Sequence, residues 1–205
     1  SEIYDHIAFA GVGKYNEFDQ LRIAGVRHAD LKGYSYSRED VNARGLANQY
    51  AQILGQIFTH EMKPMEVEIL VAEVGATASD DRLFHILYDG TVVDETGFTV
   101  LGGESDTIAE RLKATYSAGQ SLADALRAAV SALAGDRTLT PDELEVAVLA
   151  RGNGRRAFQR LSRAEAGEIL GGTAPSPDDA AEAAGGAGDA GSPPDSPDGE
   201  SSSDS

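Results

Sequence analysis

Between residues 43 and 74 the apolar period changes from that of a helix to that of a strand, and this change restricts the fold more than any other feature of the sequence. Leu46, Tyr50, Ile53, Leu54, Ile57 and Phe58 recur at steps of three and four, which puts them on one helical face. Beyond Pro64, the residues Val67, Ile69 and Val71 alternate, so every second side chain points to one face of a strand. An amphipathic helix running directly into a half-buried strand requires a layered body of helices on sheet.

The same periodicities place the remaining elements. A short strand over 7–10 runs into Gly11 and Gly13, a helix carrying Phe18 and Leu21 follows, and a Gly- and Tyr-rich stretch over 25–36 reads as its separator from the next helix. Ser37 with Asp40 has the spacing of a capping box and is read as the start of the long helix. Strands are expected over 66–74, 83–88 and 91–101, the last broken near Gly97, with Asp89-Gly90 as a hairpin turn. Two helices follow, one carrying Ile108, Leu112 and Tyr116, the other capped by Ser121 with Asp124 and stopped by Gly135. A second hairpin is expected from 144–150 and 156–161 around Asn153-Gly154, then a last helix capped by Ser162 with Glu165.

Helices therefore arrive in pairs between groups of strands, unlike the strict alternation of a parallel doubly wound sheet. Antiparallel sheets with helix pairs outside satisfy every apolar stripe, so the expected class is α/β of the α+β kind, a four-layer αββα sandwich. The expected domain spans residues 1–170. Residues 171–205 hold eight acids, no Lys or Arg, five of the seven prolines, and no aromatic, Leu, Ile or Val. Such a segment has nothing to offset its ordering entropy and is read as a disordered acidic tail.

That tail accounts for about half of the net charge of −17. An acidic surface repels phosphate backbones, so nucleic acid is not an expected partner. No apolar run approaches the roughly 18–20 residues of a membrane span, and SEIYDHIAFAG has neither the basic start nor the apolar core of a secretory signal. The absence of cysteine rules out disulfides, thiolate metal sites and a cysteine nucleophile, and fits a reducing cytoplasm.

Gly11-Val12-Gly13-Lys14 begins like a phosphate-binding loop but departs from it twice: Ala8 stands where the loop needs glycine, and Tyr15 stands where a Ser or Thr would hold magnesium. The expected role of this segment is a tight strand-to-helix turn, with a nucleotide-binding module as an alternative. His6, His28, His60 and His85 form no metal-ligand spacing, so neither a metal nor a cofactor is expected, and His85 reads as a hydrogen-bonded structural histidine. Asp80-Asp81 and Asp94-Glu95 read as solvated turns. An N-terminal Ser can in principle attack with its own amine as base, which makes an autonomous hydrolase using Ser1 the enzymatic alternative. The nearest lysine in sequence is Lys14, and no catalytic residue is expected.

The strings SEIYDHIAFAGVGKYNEFDQLRIAGVRHADLKGYSY, ARGLANQYAQILGQIF, KPMEVEILVAEVG and LEVAVLARGNGRRAFQRL closely resemble the α subunits of actinobacterial 20S proteasomes, over essentially residues 1–170. The resemblance implies an N-terminal-nucleophile hydrolase-like fold in a non-catalytic subunit. It further implies a heptameric ring of α subunits, stacked on β subunits that carry the threonine nucleophile. That ring would gate entry of unfolded or modifier-tagged protein substrates and dock a ring-shaped ATPase activator. By the same resemblance Gly13 aligns with a glycine of the activator-docking pocket, followed by Lys14. Family members also carry a gating helix, a first strand hairpin and a docking lysine ahead of SEIYD, so the chain reads as N-terminally truncated, with poorer assembly expected.

Overall fold

In the computed structural model, which describes residues 1–152 and 154–171, residues Ser1–Gly171 form one compact unit. A five-stranded antiparallel sheet has the order β1-β2-β3-β4-β5, from β1 (Glu2–Tyr4), β2 (Ile7–Gly13), β3 (Val67–Glu73), β4 (Arg82–Ile86) and β5 (Val92–Glu95). Helices α1 (Tyr15–Ser35) and α2 (Ala43–His60) pack on one face of it. A separate antiparallel ribbon, β6 (Val146–Leu149) with β7 (Phe158–Leu161), lies across a cavity from the other face. Helix α3 (Ser105–Thr115) packs on α4 (Leu122–Ala134), and α5 (Arg163–Gly171) packs on α4 and β7. Helix pair, sheet, ribbon and helices make the expected sandwich.

Register explains why the helix-facing side is the core. Phe9 lies opposite Val71 and Val71 opposite Phe84, while Ile69 lies opposite Ile86. All five are essentially inaccessible, forming cross-strand rows that Leu46, Tyr50 and Leu54 of α2 cover. The other face carries the smaller set Ala8, Ala10, Leu70 and Ala72 toward the ribbon.

Several boundaries differ from expectation for local reasons. Helix α1 continues through residues 25–35 instead of ending before them, and Tyr36 is its C-cap. Its inner face steps along Leu21, Gly25 and Ala29, and the glycines serve packing: a Cβ at Gly25 would overlap the Tyr50 hydroxyl, and one at Gly33 the Tyr4 hydroxyl. Ser37 caps only a single turn over Arg38–Asp40, and α2 is started by Asn42, whose Oδ1 accepts from the Gly45 amide at 2.8 Å. At the end of the α2 stripe Phe58 is 47% exposed and rests edge-on against Tyr88. The third strand stops at Glu95, and β1 is an additional strand. The caps of α4 and α5 form as expected, with Ser121 Oγ accepting from the Asp124 amide and Ser162 Oγ from the Glu165 amide. Asn153 and nearly all of the acidic tail lie outside the described residues; Gly152 and Gly154 both take positive φ.

A partly buried clamp ties the β1–β2 turn to β3 and α2. Glu73 Oε2 accepts from the Ala43 amide at 2.7 Å, and Glu73 Oε1 lies 3.3 Å from His6 Nε2. The hydrogen bond to Glu73 holds His6 above its ordinary value of 6.5. Burial pushes the Glu73 carboxyl up, but the bonds from His6 and Ala43 outweigh it and hold it below its ordinary 4.5. The His6 contribution is therefore complete below pH 6.5 and lost as pH rises through its folded value; the Glu73 contribution is complete above pH 4.5 and lost as pH falls through its lowered value. Stability from the clamp is expected to be greatest between those limits, and His6→Ala should flatten the loss above pH 6.5 by about 0.5 kcal/mol, kept small by water reaching His6. Urea midpoints measured from pH 5 to 8 check this.

Candidate functional site

The junction of β2 and α1 brings Gly13 and Lys14 against the loop leading into β3. Strand β2 runs through the glycines to Gly13, three residues further than the period suggests, because Gly11, Val12 and Gly13 pair with Ile69, Glu68 and Val67. At Gly13 the chain turns with φ of +126°, and a Cβ there would overlap the Glu66 carbonyl oxygen and lie 2.9 Å from its carbon. Only glycine lets the backbone approach this closely. The Lys14 amide donates to the Glu66 carbonyl at 3.1 Å, and the Glu66 amide donates to Glu17 Oε2 at 2.7 Å.

The side chains close a small charge network over this backbone. Lys14 Nζ lies 2.8 Å from Glu66 Oε2, and Lys63 Nζ lies 3.3 Å from Glu66 Oε1, so one carboxylate holds two ammonium groups. Those bonds lower the Glu66 carboxyl, Lys14 first and Lys63 second, and the bond to Glu66 raises Lys14. All three side chains are about half exposed. Beside them a cavity of about 460 Å³ is lined by apolar residues such as Val12, Pro64, Met65 and Tyr88 together with the two acids Glu66 and Glu68. Apolar walls next to half-exposed charges suit an apolar side chain with a charged group alongside.

Lys63 and Glu66 were not singled out by the sequence. They belong to the string KPMEVE, but their junction partner Lys14 is about fifty residues away, and no local period announces the pairing.

A larger cavity, about 890 Å³, separates the five-stranded sheet from the ribbon, and Ser1, Phe18, Arg22, Leu70 and Phe158 are among the residues around it. Ser1, just ahead of β1, is held there by the backbone of β2: its amino group donates to the Phe9 carbonyl at 2.7 Å, and its own carbonyl accepts from the Phe9 amide at 2.8 Å. Burial lowers that amino group from its ordinary 8.0. Lys14 is not among the residues around this cavity, and its Nζ is engaged by Glu66.

At the nucleotide alternative, the amides that a phosphate loop would present belong to the β2–β3 ladder, and Tyr15 is 76% exposed. The acid pairs serve structure. Asp80 caps the turn begun by Thr77, Asp81 accepts from the Gly75 amide and pairs with Arg151, and Asp94 pairs with Arg44 at 2.9 Å. His85 differs from expectation. Its Nε2 is buried without a hydrogen-bond partner, 3.4 Å from Glu68 Oε2, and its Nδ1 is 3.8 Å from Glu95 Oε1. The ring is held by packing and by two flanking carboxylates at more than ideal hydrogen-bond length. Among the described residues, no three His, Asp or Glu side chains converge as a metal site.

A family model described as "Proteasome subunit" matches residues 1–149. The chain belongs to the proteasome subunit family. Its relatives include proteins named "Proteasome subunit alpha" from Acidimicrobium ferrooxidans, 62% identical over 172 residues that cover 83% of this chain and 74% of the relative, and from Kineococcus radiotolerans, 55% identical over 183 residues that cover 84% and 77%. A third, from Frankia alni, is 52% identical over 186 residues covering 86% and 77%. The resemblance to actinobacterial α subunits thus extends over more than four-fifths of the chain, and the antiparallel αββα architecture is the fold of that family. Among the described residues no helix is long and apolar enough to cross a membrane.

Proposed function

We propose that this chain is a non-catalytic α-ring subunit of a cytoplasmic 20S proteasome core, which scaffolds β rings and gates the entry of unfolded and tagged proteins. In this reading peptide-bond cleavage belongs to the β subunits, and an ATPase activator docks at Gly13 and Lys14. The observation that carries it is the 62% identity to a protein named as an α subunit across 172 residues. Two features of the chain support it. Large apolar side chains lie exposed along α1 and just beyond it, with Leu31 at 68%, Tyr34 at 92% and Tyr36 at 79%, as suits a surface that neighbouring subunits cover. The pocket at Gly13 has apolar walls, and Lys14 and Lys63 both pair with Glu66, one of the residues lining it.

Coexpression with the cognate β subunit tests the reading. Large particles with peptidase activity are expected from the pair, none from this chain alone, and the activity should vanish when the β nucleophile is replaced. Hydrolysis by the isolated chain that Ser1→Ala abolishes would instead establish the autonomous hydrolase.

A further inference from the structure

We infer that the β1–β2 turn is a proton-operated latch on the segment joining α1 to α2: the charged His6 ring grips this segment, and loss of its proton loosens the apolar contact surface that the segment supports. The effect on assembly rests on the reading of Leu31, Tyr34 and Tyr36 as a surface that neighbouring subunits cover; the latch itself stands on the contacts of the turn.

Three bonds run from the turn and from β3 onto the segment 36–43. Arg38 forms a two-pronged ion pair with Asp5, Nε at 3.0 Å from Oδ2 and Nη2 at 2.6 Å from Oδ1, and its guanidinium lies over the Tyr4 ring, 4.9 Å from the centroid. The Ala43 amide donates to Glu73. His6 supplies the third: its Nε2 faces Glu73 Oε1, and the Val41 backbone also bonds the ring in the sense that favours the charged form. Glu73 and Val41 are thus both acceptors, and a neutral imidazole has one N–H to offer them where the imidazolium has two. Deprotonation leaves one of the two short of a donor, beside a Val41 side chain that is 1% exposed.

The groups facing His6 set the sign. They are the Glu73 carboxylate of β3, with Arg82 of β4 acting on the same carboxylate, the Asp5 carboxylate in the turn itself, held by Arg38, and the Val41 backbone. The bond to Glu73 outweighs burial and raises His6, so the grip is complete below pH 6.5 and is lost as pH rises through the folded value. The end of α1 rests on the residues so held: a Cβ at Gly33 would overlap the Tyr4 hydroxyl and lie 3.5 Å from Val41 Cγ2. Leu31, Tyr34 and Tyr36 are presented from this same stretch. Once the grip is loosened, a neighbouring subunit must re-order the segment as it binds, and its apparent affinity falls by the fraction of chains that are still ordered.

The test follows amide exchange at Val41 and Ala43, corrected for the intrinsic effect of pH, and the sedimentation of the full chain with its cognate β subunit, both from pH 6 to 8.5. Protection of the two amides is expected to fall about two- to three-fold over this range, and the concentration for half-maximal particle formation to rise by about the same factor. His6→Arg keeps a permanent charge at the turn and should remove both changes, leaving the chain near its pH 6 behaviour throughout. His6→Gln should also ignore pH but resemble the native chain at pH 8.5. His28, His60, His85 and the β subunit are common to all three, so the comparison isolates His6, and thermal melting verifies that each variant is folded. Tyr34→Asp examines the surface separately: it should block particle formation at every pH while exchange at Val41 and Ala43 keeps its response. If native protection does not change with pH, or changes equally in His6→Arg, the latch is wrong even where particles form. If protection responds to His6 but particle formation does not, the control of assembly is wrong, and if Tyr34→Asp also leaves particles intact, the contact reading has failed as well.

Discussion

Gly25→Ala is expected to destabilise the chain by about 2–3 kcal/mol, lowering the melting temperature by about 5–10 °C, although alanine is favoured over glycine in a helix by about 1 kcal/mol. The position decides against the propensity. A Cβ on Gly25 would overlap the Tyr50 hydroxyl, reach 2.8 Å from Tyr50 Cζ and lie 3.5 Å from Leu46 Cδ1. Tyr50 is wholly buried, and its ring is held against Phe9 at 5.6 Å between centroids. It has no free rotamer in which to yield.

The same hydroxyl is buried without a hydrogen-bond partner, and burial raises its pKa. Tyr50→Phe alone should therefore stabilise the chain by about 1 kcal/mol, since the orphaned polar group disappears. In the double variant the overlap with oxygen is gone but Cζ remains too close, so the cost of Gly25→Ala should fall only in part. Chemical denaturation of the four proteins gives the coupling directly. A Gly25→Ala chain that proved more stable than the native one would overturn the packing argument.

This contact shows where sequence reading stops. Element type and order were legible wherever apolar period was strong: the alternation in β3, the stripe of α2, and the caps at Ser121 and Ser162 carry their own local signals. Residues 25–36 carried the opposite local signal, because glycine and tyrosine are common in turns. Gly25 and Gly33 are instead inside α1 because Tyr50 and Tyr4 need the space, a requirement set by residues 25 and 29 positions away. Phe58 fitted the α2 stripe by spacing but is 47% exposed and meets Tyr88 edge-on, so spacing alone does not decide which residues of the stripe are covered.

The candidate site divides the same way. Gly13 and Lys14 were legible as a glycine turn entering a helix, and the family resemblance gave them a role. Lys63 and Glu66 were not, because their charges acquire meaning only when β3 pairs with β2 and brings Glu66 under Lys14. His85 was assigned a hydrogen-bonded place in a strand, yet its partners come from β3 and β5 and stop short of bonding distance. Strand register decides such contacts, and register is not written in any one strand.

Gly13→Ala is expected to have the largest effect of any single methyl addition at the site, about 3–5 kcal/mol from backbone strain and overlap together. The φ of +126° is one that alanine rarely adopts, and the atom it would strike is the Glu66 carbonyl oxygen. That oxygen cannot retreat cheaply, because it accepts the Lys14 amide, and the adjoining residues pair Gly13 with Val67. The strain would be relieved by opening the last rungs of the β2–β3 ladder, which moves Lys14 away from Glu66 and deforms the pocket wall. Amide exchange should consequently accelerate at Val12, Lys14 and Val67 while the distant Leu126 region of α4 is unaffected. Lys14→Met provides the control, since it removes the charge without touching φ: it should leave those exchange rates and the melting temperature nearly unchanged while weakening capture of a carboxylate-terminated peptide. If Gly13→Ala melted like the native chain and kept the Lys14 amide protected, the close approach at this junction would not be what holds Lys14 in position.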